Sequence, residues 1–524
     1  MPAQPLQPVP ALLDDPVARR MLDLLPDGTL DEVDLTAFDR IGLPVRAASS
    51  YPTSPEEPPG GGIGYGADPR AARLSALGEL TESAQVSGWV RRSDPVTAST
   101  REMVAARGAE AVVDPVALPV DAGADTDPDR PLRWLPGRRW RDGALHEQVW
   151  LPAEVVSTSG DDVPGGAPAG GWLVTSVTNG LGAGDTLERA VGHGLLELLQ
   201  RDGNGLRFRA LDAGHVLDVG PGGGLLDDPV TRSALAAFDA AGVDVTVKLA
   251  SLENDVVNVY AVGRDRLEDG VEPVHPLVVT AAGEGTHPDR EVAVRKAVLE
   301  LAASRARKVF THGPVETVDA LAPDGYRARW EAHHPSGGER RALEAMRAWC
   351  ALDAAALADL LAPTSFLERE RTPVTDLPAR PDLAGTTAWP RVTALVADRL
   401  AGAGLDVVVV DVTPPQDDAP RVHACKVVVP GLEVENLSYG RLGERGAARL
   451  LAMQATGDER VAGLVGLGPP DGPGAPTDAV PVRLHPDAVE RLGGPVWFSR
   501  ARAAALLGPL YALYREPGRH LAAR

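Results

Sequence analysis

The chain predicts an α/β (α+β) protein with internally repeated helix-strand units and a small C-terminal cap, and three observations carry that prediction. Turn-bounded β patterns alternate with helical patterns of the ordinary 3.6-residue period. One helical motif recurs three times in order. Apolar residues make up 44% of 524 positions at a mean hydropathy of -0.10, which supplies sizeable cores and excludes a collagen-like, disulfide-scaffold or wholly disordered chain.

Residues 1–33 are Pro-rich with one short apolar pattern, Ala18 to Leu25, and are expected to form a flexible lead-in. A main domain is expected over 34–450 and a C-terminal extension over 451–524. Apolar periodicity predicts helices at Ala71–Val86, Leu187–Arg201, Arg290–Phe310, Glu339–Leu361 and Trp389–Ala403. Strands are predicted at Trp172–Val177, Val243–Leu249, Val256–Val262, Leu277–Ala281, Asp406–Val412 and Ala424–Val429. The Pro/Gly-rich stretches Tyr51–Gly66 and Asp121–Pro131 read as loops inside the domain, and Ser157–Gly171 and Gly468–Pro476 as further breaks. Near the end, Ser499–Leu507 reads as a short helix stopped by Gly508-Pro509.

Charge and cysteine usage remove several function classes. The 52 Lys and Arg against 73 Asp and Glu give a net charge of -21, which argues against a broad grip on nucleic acid. Cys350 and Cys425 are too few for a disulfide framework or a four-thiolate zinc site, as expected of a reducing cytoplasm. No basic segment followed by an apolar stretch opens the chain, and no run of 18 apolar residues occurs, so neither secretion nor a membrane partner is expected. His193, His287 and His423 lack zinc-ligand spacing, which leaves a zinc hydrolase as a remote reading.

The repeat is the first feature above background. Gly66, Ala72, Leu77, Glu79 and Leu80 match Gly184, Ala190, Leu195, Glu197 and Leu198 at a constant offset of 118. A further offset of 103 places Ala293 and Glu300 on Ala190 and Glu197, so three helices share Ala-x6-Glu. On the first, Ser75, Glu79 and Glu82 lie on one helix face. On the second, leucines flank Glu197, Gln200 and Arg201, and a carboxylate buried there is costly without a partner. Mg²⁺ is a suitable one, because it takes oxygen ligands and is commonly completed by substrate phosphates. The expectation is that Glu79, Glu82 and Glu197 converge in one pocket. The glycine clusters Gly60–Gly66 and Gly180–Gly184 precede helices but lack the Lys of a Walker A loop, and each by itself reads as a turn into a helix.

In this order the motifs resemble those of YcaO-domain proteins. The resemblance rests on Gly64-Tyr65-Gly66 with Ser75-Ala-x-x-Glu79-x-x-Glu82, then Ser176-x-x-Asn179-Gly180-x-x-Ala183-Gly184-x-Thr186-x-Glu188 with Glu197-x-x-Gln200-Arg201, then Ala293, Ala297, Glu300 and Arg305. Supporting segments are Leu35 to Val45, Val408 to Thr413 and Lys426 to Glu433. It implies a YcaO-like fold and ATP-dependent activation of a peptide backbone amide, with azoline formation by cyclodehydration foremost and thioamide or amidine formation as variants. By the same resemblance Glu79, Glu82 and Glu197 hold Mg²⁺, while Ser75, Ser176, Asn179, Gln200, Arg201 and Arg305 contact ATP. The implied partners are a ribosomally made precursor peptide and a separate leader-binding or sister biosynthetic protein, because no segment resembles the family's fused leader-binding domain; a homodimer is compatible. The sequence also departs from the pattern. Tyr65 and Ser83 stand where the family has Lys and Arg, Gln200 where it has Glu, and Ala303 where it has Gln. Those losses define the alternative reading, a degenerate YcaO-fold protein that binds a peptide or a sister enzyme without catalysis.

Overall fold

Glycines opposite alanines build the repeated unit. The computed structural model describes residues 15–54, 56–206, 209–220, 226–334, 339–416, 421–433 and 440–522. In it the motif occurs as three β-α units: β1 (Gly60–Tyr65) with α1 (Pro69–Arg91), β2 (Leu181–Gly184) with α2 (Leu187–Asn204), and β3 (Ala282–His287) with α3 (Arg290–His312). Asp68, Thr186 and Asp289 cap the three helices by accepting the N–H groups of Ala71, Arg189 and Val292. A Cβ on Gly64 would lie 2.4 Å from the Ala72 carbonyl oxygen, and one on Gly182 or Gly285 would lie 2.0 Å from that of Ala190 or Ala293. Each glycine precedes its alanine by eight residues (72−64, 190−182, 293−285), and all three alanines are fully buried. The pairing lets helix backbone rest directly on strand backbone, and Ala-x6-Glu then sets Glu79, Glu197 and Glu300 at one height along the three helices.

Each of these strands is the last strand of its sheet. β1 closes a three-stranded antiparallel sheet with Gly28–Asp34 and Val45–Pro52. β2 pairs with His423–Val428 at one end of a six-stranded sheet that continues through Val408–Asp411, Pro131–Arg141 and Val96–Ser99, with Ala144–Pro152 on Pro131–Arg141. β3 pairs with Val257–Asp265 at the end of a five-stranded sheet that continues through Val243–Ser251, His215–Asp218 and Glu370–Pro373.

The predicted α/β class holds, and so do the long helices and the strands around residues 243–262 and 406–429. Four local readings change. Residues 60–65, expected within a loop, are β1, because glycine is a poor strand signal until its partner helix is known. Leu277–Ala281 was expected as a strand, but Pro276–Thr280 is a 3-10 turn and the glycine-bearing β3 follows it. Trp172–Val177 is irregular, and β2 begins at Leu181. Glu339–Leu361 splits into Arg340–Cys350 and Ala354–Leu361, with Asp353 capping the second helix through the Ala356 N–H.

Residues 1–14 of the expected lead-in lie outside the described residues, but its remainder is packed. Asp15 caps the helix Pro16–Asp23, whose Ala18 and Met21 bury against Ala76, Leu77 and Leu80 of α1, and Gly28–Asp34 is a sheet strand. At the other end, the helix Glu444–Ala455 runs through the expected boundary at residue 450. The residues beyond it, among them Val465, Val496, Phe498 and Leu507, share one core with Leu206, Leu277, Met346 and Leu357, so the cap is built into the body. Among the described residues no helix is long and apolar enough to cross a membrane.

This packing predicts the outcome of a single-methyl substitution. Gly285→Ala inserts a methyl against the Ala293 carbonyl and should destabilise the protein by about 1–3 kcal/mol or more, the usual range for overpacking. Gly402→Ala, where nothing lies within 4 Å, should be neutral or stabilising. Thermal unfolding of the two variants checks the contrast.

Candidate functional site

Three cross-unit contacts join the repeats around one hollow. From the first unit to the third, the Tyr65 hydroxyl on β1 donates to Glu300 Oε2 on α3 at 2.9 Å. From the second to the third, Gln200 Nε2, Arg201 Nη1 and Asn204 Nδ2 on α2 all donate to Glu284 Oε2 on β3, at 3.0, 3.3 and 2.9 Å. From the first to the second, Glu82 Oε2 on α1 lies 3.8 Å from His193 Nδ1 on α2. The carboxylates also hold their own strands: Glu79 accepts the Ile63 N–H at 2.7 Å, and Glu197 accepts the Gly180 N–H at 2.9 Å and Asn179 Nδ2 at 3.5 Å.

The hollow is charge-frustrated. Glu79 keeps an edge open to water, and its carboxyl is pushed up to about 7, first by desolvation and then by the charges of Glu82 and Glu197, with the Ile63 N–H and Arg519 opposing. Glu300 is likewise pushed up to about 7 by desolvation and by Glu284, although Tyr65, Lys296 and Arg201 draw it back. Glu82 is raised by desolvation and by Glu197 against the pull of His193 and the Ala183 N–H. Desolvation together with Glu300, Glu79 and Glu284 holds the Tyr65 phenol well above its usual range, so Tyr65 serves as a neutral donor where a lysine would bring a charge. On the far side Lys426, 1% exposed, donates to the Val177 carbonyl at 2.7 Å, and its ammonium is lowered to about 8 by burial against the attraction of Glu197 and Glu82.

The donor set suits a hard cation, since carboxylate oxygens from α1 and α2 face one another with less positive charge than they require. Among the described residues no three His, Cys, Asp or Glu side chains are already gathered as a metal-binding group. Glu79 and Glu197 are turned to backbone N–H groups, partners that a cation would displace.

The structure distributes the sequence-predicted residues unevenly. Ser75 is exposed on α1 one turn before Glu79, on the same face. Asn179, Gln200 and Arg201 reach the carboxylates as described above, and Arg201 also lies 4.0 Å from Glu197. Ser176 is more remote, with its hydroxyl 2.8 Å from that of Ser157. Arg305 is a correction. It is fully buried, its guanidinium is bound by Asp39 at 2.6 Å and Asp265 at 3.0 Å, and it locks α3 to the 35–39 turn and the strand Val257–Asp265. A guanidinium with both edges committed to aspartates has no fork left for a phosphate, and breaking such a buried set typically costs about 3–5 kcal/mol. Ala303, at the family's Gln position, is buried among Phe38, Val278 and Phe310.

Sequence reasoning missed Glu284, Lys296, His193 and Lys426 as members of the site. Glu284 had a usable signal. Counted back from the motif alanine it occupies the position of Ile63 and Leu181, so a carboxylate stands where the other two units carry an apolar residue. Lys296 lies one turn before Glu300 on α3, and burial lowers its ammonium against the attraction of Glu300 and Glu197.

Comparison with known proteins gives the same assignment. The profile of the YcaO cyclodehydratase family, described as ATP- and Mg²⁺-binding, matches residues 63–433, and the chain belongs to this family. An uncharacterized protein of Methanothermobacter thermautotrophicus is 31% identical over 415 residues, covering 79% of this chain and 91% of its own. An uncharacterized protein in the tfuA 3' region of Rhizobium leguminosarum bv. trifolii is 26% identical over 78% of this chain and 85% of its own. Among solved structures, a heterocyclase in complex with substrate and cofactor superposes with a TM-score of 0.56 at 16% identity, covering 85% of this chain, while this chain spans 57% of that one; the likeness is one of fold.

The raised carboxyls predict a pH dependence. A carboxyl that keeps its proton to about 7 in the fold, against an ordinary 4.5, contributes stability that is fully present below 4.5 and is lost as pH rises to about 7. Without divalent ions the melting temperature should therefore fall across that window. Glu79→Gln should reduce the slope, and thermal melts of both proteins from pH 4.5 to 8 measure it. An equal slope in the variant would mean that Glu79 does not titrate there.

Proposed function

We propose that the chain uses Mg·ATP to activate a backbone amide of a ribosomally made precursor peptide, with cyclodehydration to an azoline as the leading outcome and thioamide or amidine formation as variants set by the nucleophile. One observation carries the reading: Tyr65, Gln200, Arg201, Asn204 and His193 tie acidic residues of all three repeated units, Glu82, Glu284 and Glu300, into one cluster across the units. Glu79, Glu82 and Glu197 would hold Mg²⁺, and Ser75, Asn179, Gln200 and Arg201 border the same space. ATP and Mg²⁺, when bound, supply a phosphoryl group that turns the amide oxygen into a leaving group and a metal charge that stabilises the transfer. The protein's own part is positional. Tyr65 fixes Glu300, Glu284 gathers the end of α2, and His193 restrains Glu82. A separate leader-binding or sister protein would deliver the peptide.

The competing reading, a silent partner, draws on the uncharged Tyr65 and on Arg305 being committed to the core. Ligand-linked stability separates the two. Mg·ATP at 100 times its dissociation constant should stabilise the protein by about 2.7 kcal/mol, whereas ATP with chelator should not. With a candidate precursor peptide, intact mass should then show loss of one water, or exchange of oxygen for sulfur if a thioamide forms. Absence of any Mg·ATP shift would leave the silent partner as the better account.

A further inference from the structure

A segment beyond the family match reaches the hollow. Glu516 is held against α3 by Arg307, whose Nη atoms donate to it at 2.9 and 3.2 Å, by Lys308, and by His312 with Nε2 at 3.4 Å. Against the desolvation of burial, the charges of Arg307 and Lys308 and the hydrogen bond from His312 hold its carboxyl well below the usual range. Four residues on, His520 is fully buried; its N–H donates to the Thr311 carbonyl at 2.8 Å and its ring meets the Tyr326 hydroxyl at 3.3 Å. Between these two anchors Arg519 extends over β1. Its Nη1 lies 3.2 Å from Ser49 Oγ and 3.5 Å from the Tyr326 hydroxyl, and its guanidinium stacks 4.2 Å from the Trp330 ring. A Cβ on Gly61 would stand 3.3 Å from Arg519 Nη2, two residues before Ile63, whose N–H binds Glu79.

Arg519 differs from the other arginines around the hollow. Arg201 faces Glu284, Arg305 faces Asp39 and Asp265, and Arg307 faces Glu516. Among the described residues no carboxylate lies within ion-pair distance of Arg519. Stacking on an indole face fixes the plane of a guanidinium and leaves its edge N–H groups to bind an anion. We propose that Arg519, presented by the segment 516–520, is the phosphate-facing cation of the nucleotide site and takes the place of the charges absent at Tyr65 and Ser83. The assignment rests on the Mg·ATP reading of the hollow. It makes the segment 516–520 part of the site, with Glu516 and His520 as positioning residues.

Calorimetric titration of the full chain with Mg·ATP, and with Mg²⁺ alone, tests it. Arg519→Gln should weaken Mg·ATP about tenfold or more, the scale of a lost charge-assisted hydrogen bond, with the protein still unfolding cooperatively in the absence of nucleotide. Arg519→Lys, which keeps the charge and loses the fork, should fall between, and Mg²⁺ alone should bind all three proteins alike. Glu516→Gln supplies an independent sign. On charge alone, removing an acid should tighten Mg·ATP, whereas releasing the segment that delivers Arg519 should weaken it, and weakening is expected. Wild-type affinity in Arg519→Gln, or tighter binding in Glu516→Gln, would overturn the assignment and leave the Mg·ATP site standing. If the wild-type chain itself shows no Mg·ATP binding, the site reading falls and this assignment with it.

Discussion

Direct contact between helix backbone and edge-strand backbone is the constraint on which the rest of the structure depends. It occurs where a glycine meets a buried alanine, as Gly64 meets Ala72, Gly182 meets Ala190 and Gly285 meets Ala293. Close approach fixes the height and rotation of each helix on its strand, and seven residues further along the same helix stands a glutamate. The glutamates then share charged neighbours, since Glu197 acts on Glu79 and Lys296 is drawn by both Glu300 and Glu197. Geometry that looks like a packing economy therefore determines where charge collects.

Charge collection is costly, and the structure shows how the cost is distributed. Glu197 and Glu79 take backbone N–H groups, Glu284 takes three side-chain donors from α2, and Glu300 takes the Tyr65 hydroxyl, yet desolvation still pushes the Glu79 and Glu300 carboxyls up to about 7. Carboxylates satisfied in this partial way are primed for a cation. Arg305 illustrates the opposite regime. Two aspartates satisfy it completely, and it serves the fold by tying α3 to the turn at Asp39 and to the strand that ends at Asp265. Two motif arginines only one position apart in the repeat register, Arg201 and Arg305, thus do different work, and only burial and partners tell them apart.

Legibility in the sequence followed the kind of signal. The Ala-x6-Glu recurrence exposed the three helices and their acidic residues, because amphipathic period and fixed offsets survive in a single sequence. Glycine strands did not announce themselves. β1 was hidden in a Pro/Gly-rich stretch, and β3, Ala-Gly-Glu-Gly-Thr-His, lacks the β-branched run that Leu277–Ala281 offered beside it. Glu284 escaped with its strand. Contacts between distant segments, such as Arg305 with Asp39 and Arg519 with Ser49, cannot be read from spacing at all, since 266 and 470 residues separate the partners.

The central claim is that the repeated units assemble one cation site from carboxylates on different helices. Diffraction from crystals grown with Mn²⁺ and a non-hydrolysable ATP analogue, measured for anomalous signal, tests it most directly. The account predicts Mn²⁺ density within coordination distance of Glu79, Glu82 and Glu197, with the Glu79 and Glu197 carboxylates moved off the Ile63 and Gly180 N–H groups. Mn²⁺ and nucleotide bound elsewhere, with those two hydrogen bonds intact, would contradict it.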